Sequence, residues 1–141
     1  MNRIQDRRIR ELRDVPMFQH CSPAQLRRIA AVVDPVEVGD GHRLCAEGTV
    51  GRELFIVRSG TVDITSDGVT IATVGRGEVL GEISLMARRR RTATAVARGD
   101  VSVYVVSRLD VTTLLEHTPG LTQALLRTVC DRVLGTQAPV G

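Results

Sequence analysis

Residues 53–77 read ELFIVRSGTVDITSDGVTIATVGRG, where short runs of aliphatic and β-branched residues stop at glycines. Alternation of apolar and polar residues with a period of two is typical of β-strands that bury one face. Glycine beside Asp or Ser between such runs is typical of turns. No helix of crossover length separates the runs, so consecutive strands are expected to pair antiparallel. This stretch predicts a sheet of short antiparallel strands.

The same pattern continues on both sides and fills residues 34–107. HRLCAEG precedes the stretch, and RTATAVARGD and VSVYVVS follow it. Many short strands with polar glycine turns predict an antiparallel sandwich or a jelly roll. Of the two we expect the antiparallel jelly-roll β-barrel, also called a double-stranded β-helix. We expect each glycine in this region to separate two strands, Gly60 and Gly99 included. The exception is residues 81–87, where alternation lapses and a helical turn fits.

Helices are predicted on the N-terminal side, over residues 3–33. Residues 3–14 carry apolar side chains at helical spacing among charges, and Pro16 then breaks the helix inside an apolar segment. The sequence Ser22-Pro23-Ala24-Gln25 has the form of a capping box with proline at the first helical position. An amphipathic stripe follows it, which predicts a second short helix packed on a larger body.

Helical patterning returns on the C-terminal side, over residues 108–134. Ser107 can cap one helix, and Thr118-Pro119 can open another whose apolar residues share one face until Gly135. At 141 residues the chain is long enough for one hydrophobic core and too short for two. The prediction is therefore a single domain over residues 1–141, mainly β in an α+β arrangement, with helices flanking the barrel.

Composition narrows the function classes. The chain has one Tyr, two Phe and no Trp, which disfavours single-stranded nucleic-acid binding by base stacking. All 19 basic residues are Arg, and the net charge is only +3. Three widely spaced cysteines without a histidine pattern support neither a disulfide framework nor a zinc site, so we expect a reducing, cytoplasmic location. The charged N-terminus lacks the apolar segment of a signal peptide, and no membrane span is expected.

Residues 81–97 read GEISLMARRRRTATAVA, with four consecutive arginines shortly after a glutamate. Arg88–Arg91 either lie on a solvated turn or include at least one group that binds an anion. One turn of helix after Gly81 would present free backbone N–H groups that suit an anion. Glu82 would repel a phosphate but can accept hydrogen bonds from sugar hydroxyls. Together these features indicate a nucleotide or sugar phosphate.

GEISL, five intervening residues and RTAT resemble the phosphate-binding cassette of cyclic nucleotide-binding domains. LRDVPMF, EGTVGRELFIVRSGTVDI, VGRGEVLGE and VSVYVVSRLDVTTLLEHTPGLTQALL resemble the same family, covering roughly residues 12–134. The resemblance implies a cassette at residues 81–94, with Glu82 on the ribose 2′-hydroxyl and Arg91 on the cyclic phosphate. It implies that Thr92 reaches the phosphate or a guanine base. The implied ligand contacts are Gly81, Glu82, Ile83, Ser84, Arg91, Thr92 and Ala93.

The five residues between Leu85 and Arg91 depart from the family pattern. That pattern usually has a glycine here and often a proline directly before the arginine, whereas this chain has MARRR. Without these turn-forming residues, we expect the loop to take a different path or a longer helical turn. The added charge either strengthens phosphate binding or marks a loop that binds an acidic protein partner.

The resemblance implies a non-enzymatic regulatory sensor that binds a cyclic nucleotide, cAMP in preference to cGMP, without a metal or other cofactor. We expect a stand-alone domain that acts on an unidentified protein partner or through a homodimer, without a DNA-binding module. The alternative is a degenerate domain that keeps the fold, binds no small molecule and serves as a ligand-independent interaction module. A cupin-type metalloenzyme is disfavoured, because the E-x6-G match at residues 53–60 has no upstream H-x-H pair.

The C-terminal helices of this family close over the base when ligand binds. By analogy, residues 121–133 would form a moving lid or a dimer helix. Leu125 or Val129 would then face the ligand, and the simpler reading is that each packs in the core.

Overall fold

The architecture is a six-stranded antiparallel sheet with helices before and after it in the chain, described over residues 3–133 of a computed structural model. The predicted antiparallel β fold with flanking helices is confirmed. In chain order the elements are α1 (Arg3–Arg13), a 3-10 turn (Pro16–Phe18), α2 (Pro23–Val32), β1 (Asp34–Val38), β2 (Arg43–Cys45), β3 (Glu53–Ser66), β4 (Val69–Val74), β5 (Val79–Leu80), α3 (Glu82–Met86), β6 (Thr94–Ser107), α4 (Arg108–His117) and α5 (Leu121–Val133).

Two long strands, β3 and β6, form the centre of the sheet. They pair antiparallel along their whole length, from Glu53 opposite Ser107 to Thr65 opposite Thr94. The remaining strands extend this pair, with β1 and β2 on β6 and with β4 and β5 on β3. β5 pairs with β3 near its start, and the chain passes from β5 directly into α3. The loop that follows α3 therefore lies beside the start of β3.

The predicted strand breaks at Gly60 and Gly99 are wrong, because both glycines lie inside the long strands. Gly60 has φ +90°, and a Cβ there would lie 2.5 Å from the carbonyl oxygen of Asp100. The register between β3 and β6 shifts on both sides of Ser59. Glycine therefore bends the strand pair at an irregular position instead of ending it.

Side chains of β3 alternate between two apolar clusters. Leu54 and Ile56 belong to the cluster that packs against the helices, whereas Phe55 and Val57 belong to the cluster between the strands. A strand with both faces buried reads as a continuous apolar run, as this segment does. The cluster between the strands contains Phe55, Val57, Val62, Ile64, Val74, Leu80, Ala93, Ala95, Ala97, Val101 and Val103.

The predicted capping box at the start of α2 is confirmed. The backbone N–H of Gln25 donates to Ser22 Oγ at 3.2 Å, and the backbone N–H of Ser22 donates to Gln25 Oε1 at 2.8 Å. Leu26 and Ile29 then point into the helix-facing cluster. This cap fixes where the chain turns from the 3-10 turn into α2.

The predicted C-terminal helices are present with one shifted boundary. Ser107 caps α4 by accepting a hydrogen bond from Asp110 N at 3.1 Å. The second helix begins at Leu121 and not at Pro119, because Gly120 has φ +86° and turns the chain first. Its predicted end at Gly135 lies outside the described residues. No helix within residues 3–133 is both long and apolar enough to cross a bilayer.

An ion pair ties α1 to the sheet. Arg58 of β3 donates from Nε to Glu11 Oε2 at 2.8 Å and from Nη2 to Glu11 Oε1 at 3.1 Å. Its guanidinium lies 4.4 Å from the centre of the Tyr104 ring. The hydrogen bonds from Arg58 lower the pKa of Glu11 from 4.5 to about 2. The folded state therefore favours the charged carboxylate.

We expect Glu11→Gln to destabilise the protein near neutral pH by roughly 1–2 kcal/mol, a value reduced for the partial exposure of the pair. Because the folded pKa of Glu11 is depressed, its contribution is complete above about pH 4.5 and disappears as the pH falls towards 2. Urea unfolding near pH 7 and near pH 3 measures the difference. Arg7→Gln is the matched control, since Arg7 contacts the same carboxylate from a largely exposed position. A Glu11→Gln effect no larger than that control, or one independent of pH, contradicts the assignment.

Candidate functional site

The loop between β5 and β6 starts at a glycine that no other residue can replace without strain. Gly81 has φ +87°, which lets the chain turn from β5 straight into α3. A Cβ at this position would collide with Arg91 Nη1 and lie 3.0 Å from the carbonyl oxygen of Glu53. Both the backbone conformation and the space therefore require glycine here.

Arg91 points inward beneath this loop. Nη1 donates to the carbonyl oxygen of Gly81 at 3.0 Å and to Ser84 Oγ at 2.8 Å, and Nη2 donates to the carbonyl oxygen of Glu53 at 2.6 Å. The residue is only 4% exposed, and its guanidinium lies 5.9 Å from the centre of the Phe55 ring. Burial lowers the pKa of Arg91 below its usual value. These three hydrogen bonds hold the cation at a fixed place.

Backbone pairing explains why the side chain of Arg91 points inward while the neighbouring side chains are exposed. Arg91 N donates to the carbonyl oxygen of Thr49 at 2.7 Å, and Gly48 N donates to the carbonyl oxygen of Arg91 at 2.9 Å. From here into β6, burial alternates along the chain, with Arg91, Ala93 and further alanines buried and Thr92 exposed. Strand geometry places alternate residues on one face, so Arg91 shares the inner face with the alanines.

The other three arginines form an exposed turn. Arg88 has φ +53°, the left-handed conformation that glycine adopts most easily, and Arg89 N donates to the carbonyl oxygen of Ser84 at 2.9 Å. Arg90 Nη1 donates to the carbonyl oxygen of Gly48 at 3.0 Å. The loop thus turns through Arg88 and does not extend the helix over the arginine run.

Two further predicted ligand residues are fully buried in α3. Glu82 and Ser84 are both 0% exposed. Ser84 Oγ donates to the carbonyl oxygen of Gly81 at 3.3 Å while it accepts from Arg91. The segment therefore buries a carboxyl group and a guanidinium, which is costly unless both are well solvated by protein groups.

The seven predicted ligand residues differ in their burial and in their contacts. The structure brings Gly81, Ser84 and Arg91 into direct contact. It buries Glu82 and Ala93, leaves Thr92 exposed and places Ile83 in the first turn of α3. The full predicted set is Gly81, Glu82, Ile83, Ser84, Arg91, Thr92 and Ala93. Their contacts with a ligand remain a prediction.

Two residues at this site had no predicted role beyond a turn or a helix. A Cβ on Gly51 would lie 2.7 Å from Ser84 Oγ and 3.3 Å from Arg91 Cζ. Arg108 Nη2 donates to the carbonyl oxygen of Gly51 at 2.5 Å, and its charge adds to the lowering of the pKa of Arg91. A glycine in a turn was visible in the sequence, but nothing indicated that Arg108 would fold back onto it.

α5 contacts both α3 and the 3-10 turn, so the loop and the N-terminal segment meet on one helix. Leu125 is 3% exposed and lines a small apolar cavity of about 30 Å³ with Phe18, Leu114 and other aliphatic residues. Leu125 is therefore a core residue in this structure, which agrees with the simpler of the two interpretations given above, packing in the core. Val129 is partly exposed.

Metal binding finds no support among the residues that the structure describes. Within residues 3–133, no group of three or more His, Cys, Asp or Glu side chains could hold a metal ion. Glu53, which begins the E-x6-G match, is exposed at the start of β3.

A protein-family model matches the part of the chain that contains this site. Residues 35–118 match the family model described as cyclic nucleotide-binding domain. The human cyclic nucleotide-gated channel beta-1 is 32% identical over 126 residues, which cover 85% of this chain and 10% of the channel. This chain therefore spans about a tenth of that relative.

Solved structures share the fold at lower identity. The regulatory domain of Toxoplasma gondii PKA with cAMP superposes with a TM-score of 0.82 at 18% identity, covering 91% of this chain and 50% of that chain. The regulatory subunit of a cAMP-independent protein kinase A from Trypanosoma brucei gives a TM-score of 0.85 at 20% identity, covering 95% and 48%.

We expect Gly81→Ala to cost about 3 kcal/mol of stability, because the new methyl group adds backbone strain and displaces the Arg91 side chain from its hydrogen bonds. Gly68→Ala is the matched control, since Gly68 also has a positive φ, +79°, but has open space around its Cα. That control should cost about 1 kcal/mol. Urea unfolding of both variants measures the difference, and equal costs would show that Arg91 is not held as described.

Proposed function

Since this chain belongs to the cyclic nucleotide-binding domain family, we propose that its segment 81–94 binds the phosphate and ribose of a cyclic nucleotide, with cAMP preferred over cGMP. The observation that carries this proposal is the burial of two opposite charges in that segment. Glu82 is 0% exposed and Arg91 is 4% exposed. The domain acts as a regulatory, non-enzymatic sensor.

Packing alone gives no reason to keep these charges. Removing a carboxylate and a guanidinium from water is expensive, and apolar residues of similar volume commonly serve a core as well or better. Buried ionisable groups are therefore concentrated at functional sites. A cyclic nucleotide offers an anionic phosphate that a guanidinium can bind and hydroxyl groups that a carboxylate can accept from.

Ligand binding at Arg91 would exchange one set of acceptors for another. In this structure its Nη atoms donate to two backbone carbonyl groups and to Ser84 Oγ, all of them neutral. A phosphate oxygen carries negative charge and accepts stronger hydrogen bonds from a guanidinium. The cation is already in place, so binding would begin with a shift of Ser84 or of the guanidinium.

The base preference rests on a smaller set of observations. Thr92 directly follows Arg91 and is exposed, so its hydroxyl is free to turn towards a phosphate or a guanine base. The solved relative from Toxoplasma gondii contains cAMP, which supports adenine as the first base to test. The name of the human channel relative does not distinguish between the two nucleotides.

A path for regulation follows from the position of α5. This helix touches α3, which begins with Glu82, and the 3-10 turn, which leads to α2. A ligand that draws α3 inward would change the packing of α5 and, through it, of the N-terminal helices. The output would pass to a protein partner or a homodimer, provided that the nucleotide binds one arrangement better than the other.

The alternative function is a ligand-independent interaction module. Two observations favour it: the MARRR loop departs from the family pattern, and the Trypanosoma brucei kinase with the same fold is described as cAMP-independent. Such a module would retain the fold and the buried charges but would not respond to any cyclic nucleotide.

A thermal melt with cAMP and cGMP titrated separately tests the proposal. Ligand at about 100 times its dissociation constant should add roughly 2.7 kcal/mol, a shift of several degrees for a domain of this size. Arg91→Ala should abolish the shift, whereas the control Arg89→Ala, which removes an exposed arginine of the same loop, should keep it. No saturable shift with either nucleotide would favour the interaction module.

Thr92→Ala separates the two bases. If the Thr92 hydroxyl contacts guanine, the substitution should weaken cGMP binding by roughly tenfold and leave cAMP binding within about twofold, because one hydrogen bond contributes on the order of 1 kcal/mol. Isothermal titration of both nucleotides measures the ratio. Equal losses for both would assign the hydroxyl to the phosphate.

A further inference from the structure

Three consecutive arginines, Arg88, Arg89 and Arg90, lie on the turn after α3. All three residues are exposed. No carboxylate within residues 3–133 forms an ion pair with any of them. A run of like charges raises the local positive potential and attracts an anionic group on another molecule.

The turn that carries these arginines is held by its backbone. Arg89 N donates to the carbonyl oxygen of Ser84, and Arg90 forms an isolated β-bridge with Val50. Arg90 Nη1 also donates to the carbonyl oxygen of Gly48. Since the backbone is already ordered, a partner that binds here avoids much of the entropic cost of fixing the loop.

Exposed aliphatic residues lie on the chain segments next to the arginines. Val50, the bridge partner of Arg90, is 49% exposed. Two residues further on, the carbonyl oxygen of Arg52 accepts from Arg108 N at 2.9 Å, which places the start of α4 against this segment. The next residue, Leu109, is 74% exposed. We call the surface formed by Val50, Arg88, Arg89, Arg90 and Leu109 the basic rim.

We propose that the basic rim is the docking surface for an acidic segment of a partner protein, one that carries aliphatic side chains beside its carboxylates. Carboxylates would pair with the three arginines, and aliphatic side chains would cover Val50 and Leu109. A single-stranded nucleic acid fits less well, because it needs exposed aromatic rings. All three aromatic residues are buried, with Phe18 3%, Phe55 4% and Tyr104 1% exposed.

The rim and the cassette share one loop. Gly48, which accepts from Arg90, donates its N–H to the carbonyl oxygen of Arg91. A ligand that moved the backbone of Arg91 as well as its guanidinium would therefore move the rim. This regulatory consequence rests on the proposed function, whereas docking itself is measurable without any nucleotide.

Fluorescence anisotropy at low ionic strength tests the docking surface on the full chain. The probe is a labelled synthetic peptide of alternating glutamate and leucine residues. The triple variant Arg88→Gln, Arg89→Gln and Arg90→Gln should bind it about tenfold more weakly, as expected for the loss of three exposed charge pairs. The control triple variant Arg10→Gln, Arg13→Gln and Arg27→Gln removes the same charge from exposed positions on α1 and α2 and should bind as the wild type does.

A second pair of measurements tests the aliphatic part of the rim. Val50→Ser with Leu109→Ser should weaken the glutamate–leucine peptide several-fold but leave a leucine-free glutamate peptide unchanged. Equal losses in the two arginine triples would overturn the proposal, since net charge alone would then explain binding. It would also be overturned by a single-stranded oligonucleotide of equal charge that binds as tightly as the peptide.

The two proposals fail separately. Peptide titration is performed without nucleotide, so a missing peptide signal contradicts the basic rim and leaves the nucleotide melt unaffected. The variant Arg88→Gln, Arg89→Gln and Arg90→Gln should lose affinity for the peptide and keep the nucleotide shift, since these three residues are exposed. Thermal melts of every variant check that each one is folded before its affinity is compared.

Discussion

The buried guanidinium of Arg91 sets the constraints on the rest of the site. Its hydrogen bonds reach the carbonyl oxygens of Gly81 and Glu53 and the hydroxyl of Ser84, so one side chain connects the end of β5, the start of β3 and α3. A buried cation must keep acceptors on every side that water no longer reaches. The positive φ of Gly81 and the missing side chain of Gly51 follow from this requirement, because both leave room for the guanidinium and its partners.

The same constraint links stability to ligand binding. Arg91 donates hydrogen bonds to backbone and hydroxyl oxygens in this structure, and a phosphate would offer it an anionic acceptor. Under the proposed function, ligand binding would therefore add stability to a site that is already assembled. Arg108 works in the opposite direction, since a second guanidinium nearby disfavours the charge on Arg91. An anion between the two would relieve that repulsion as well.

Local patterns in the sequence predicted most of the architecture. Alternation in residues 34–107 indicated antiparallel strands, and Ser22 with Gln25 indicated the start of α2, because both signals depend on neighbours within a few positions. The errors at Gly60 and Gly99 have a common cause. Period-two alternation with a glycine looks the same whether the chain turns back or merely bends, and only the partner strand decides between them.

The same distinction between local patterns and distant contacts applies to the site. The register that turns Arg91 inward is visible in the sequence, since RTATAVA alternates as a strand does and carries alanine at each buried position after Arg91. Contacts between distant segments, such as Arg108 with Gly51, leave no local pattern. Alternation also explains how one run of arginines can serve two purposes. The position in register with the alanines is drawn under the loop, and the three before it stay on the turn, where their charge is available to another protein.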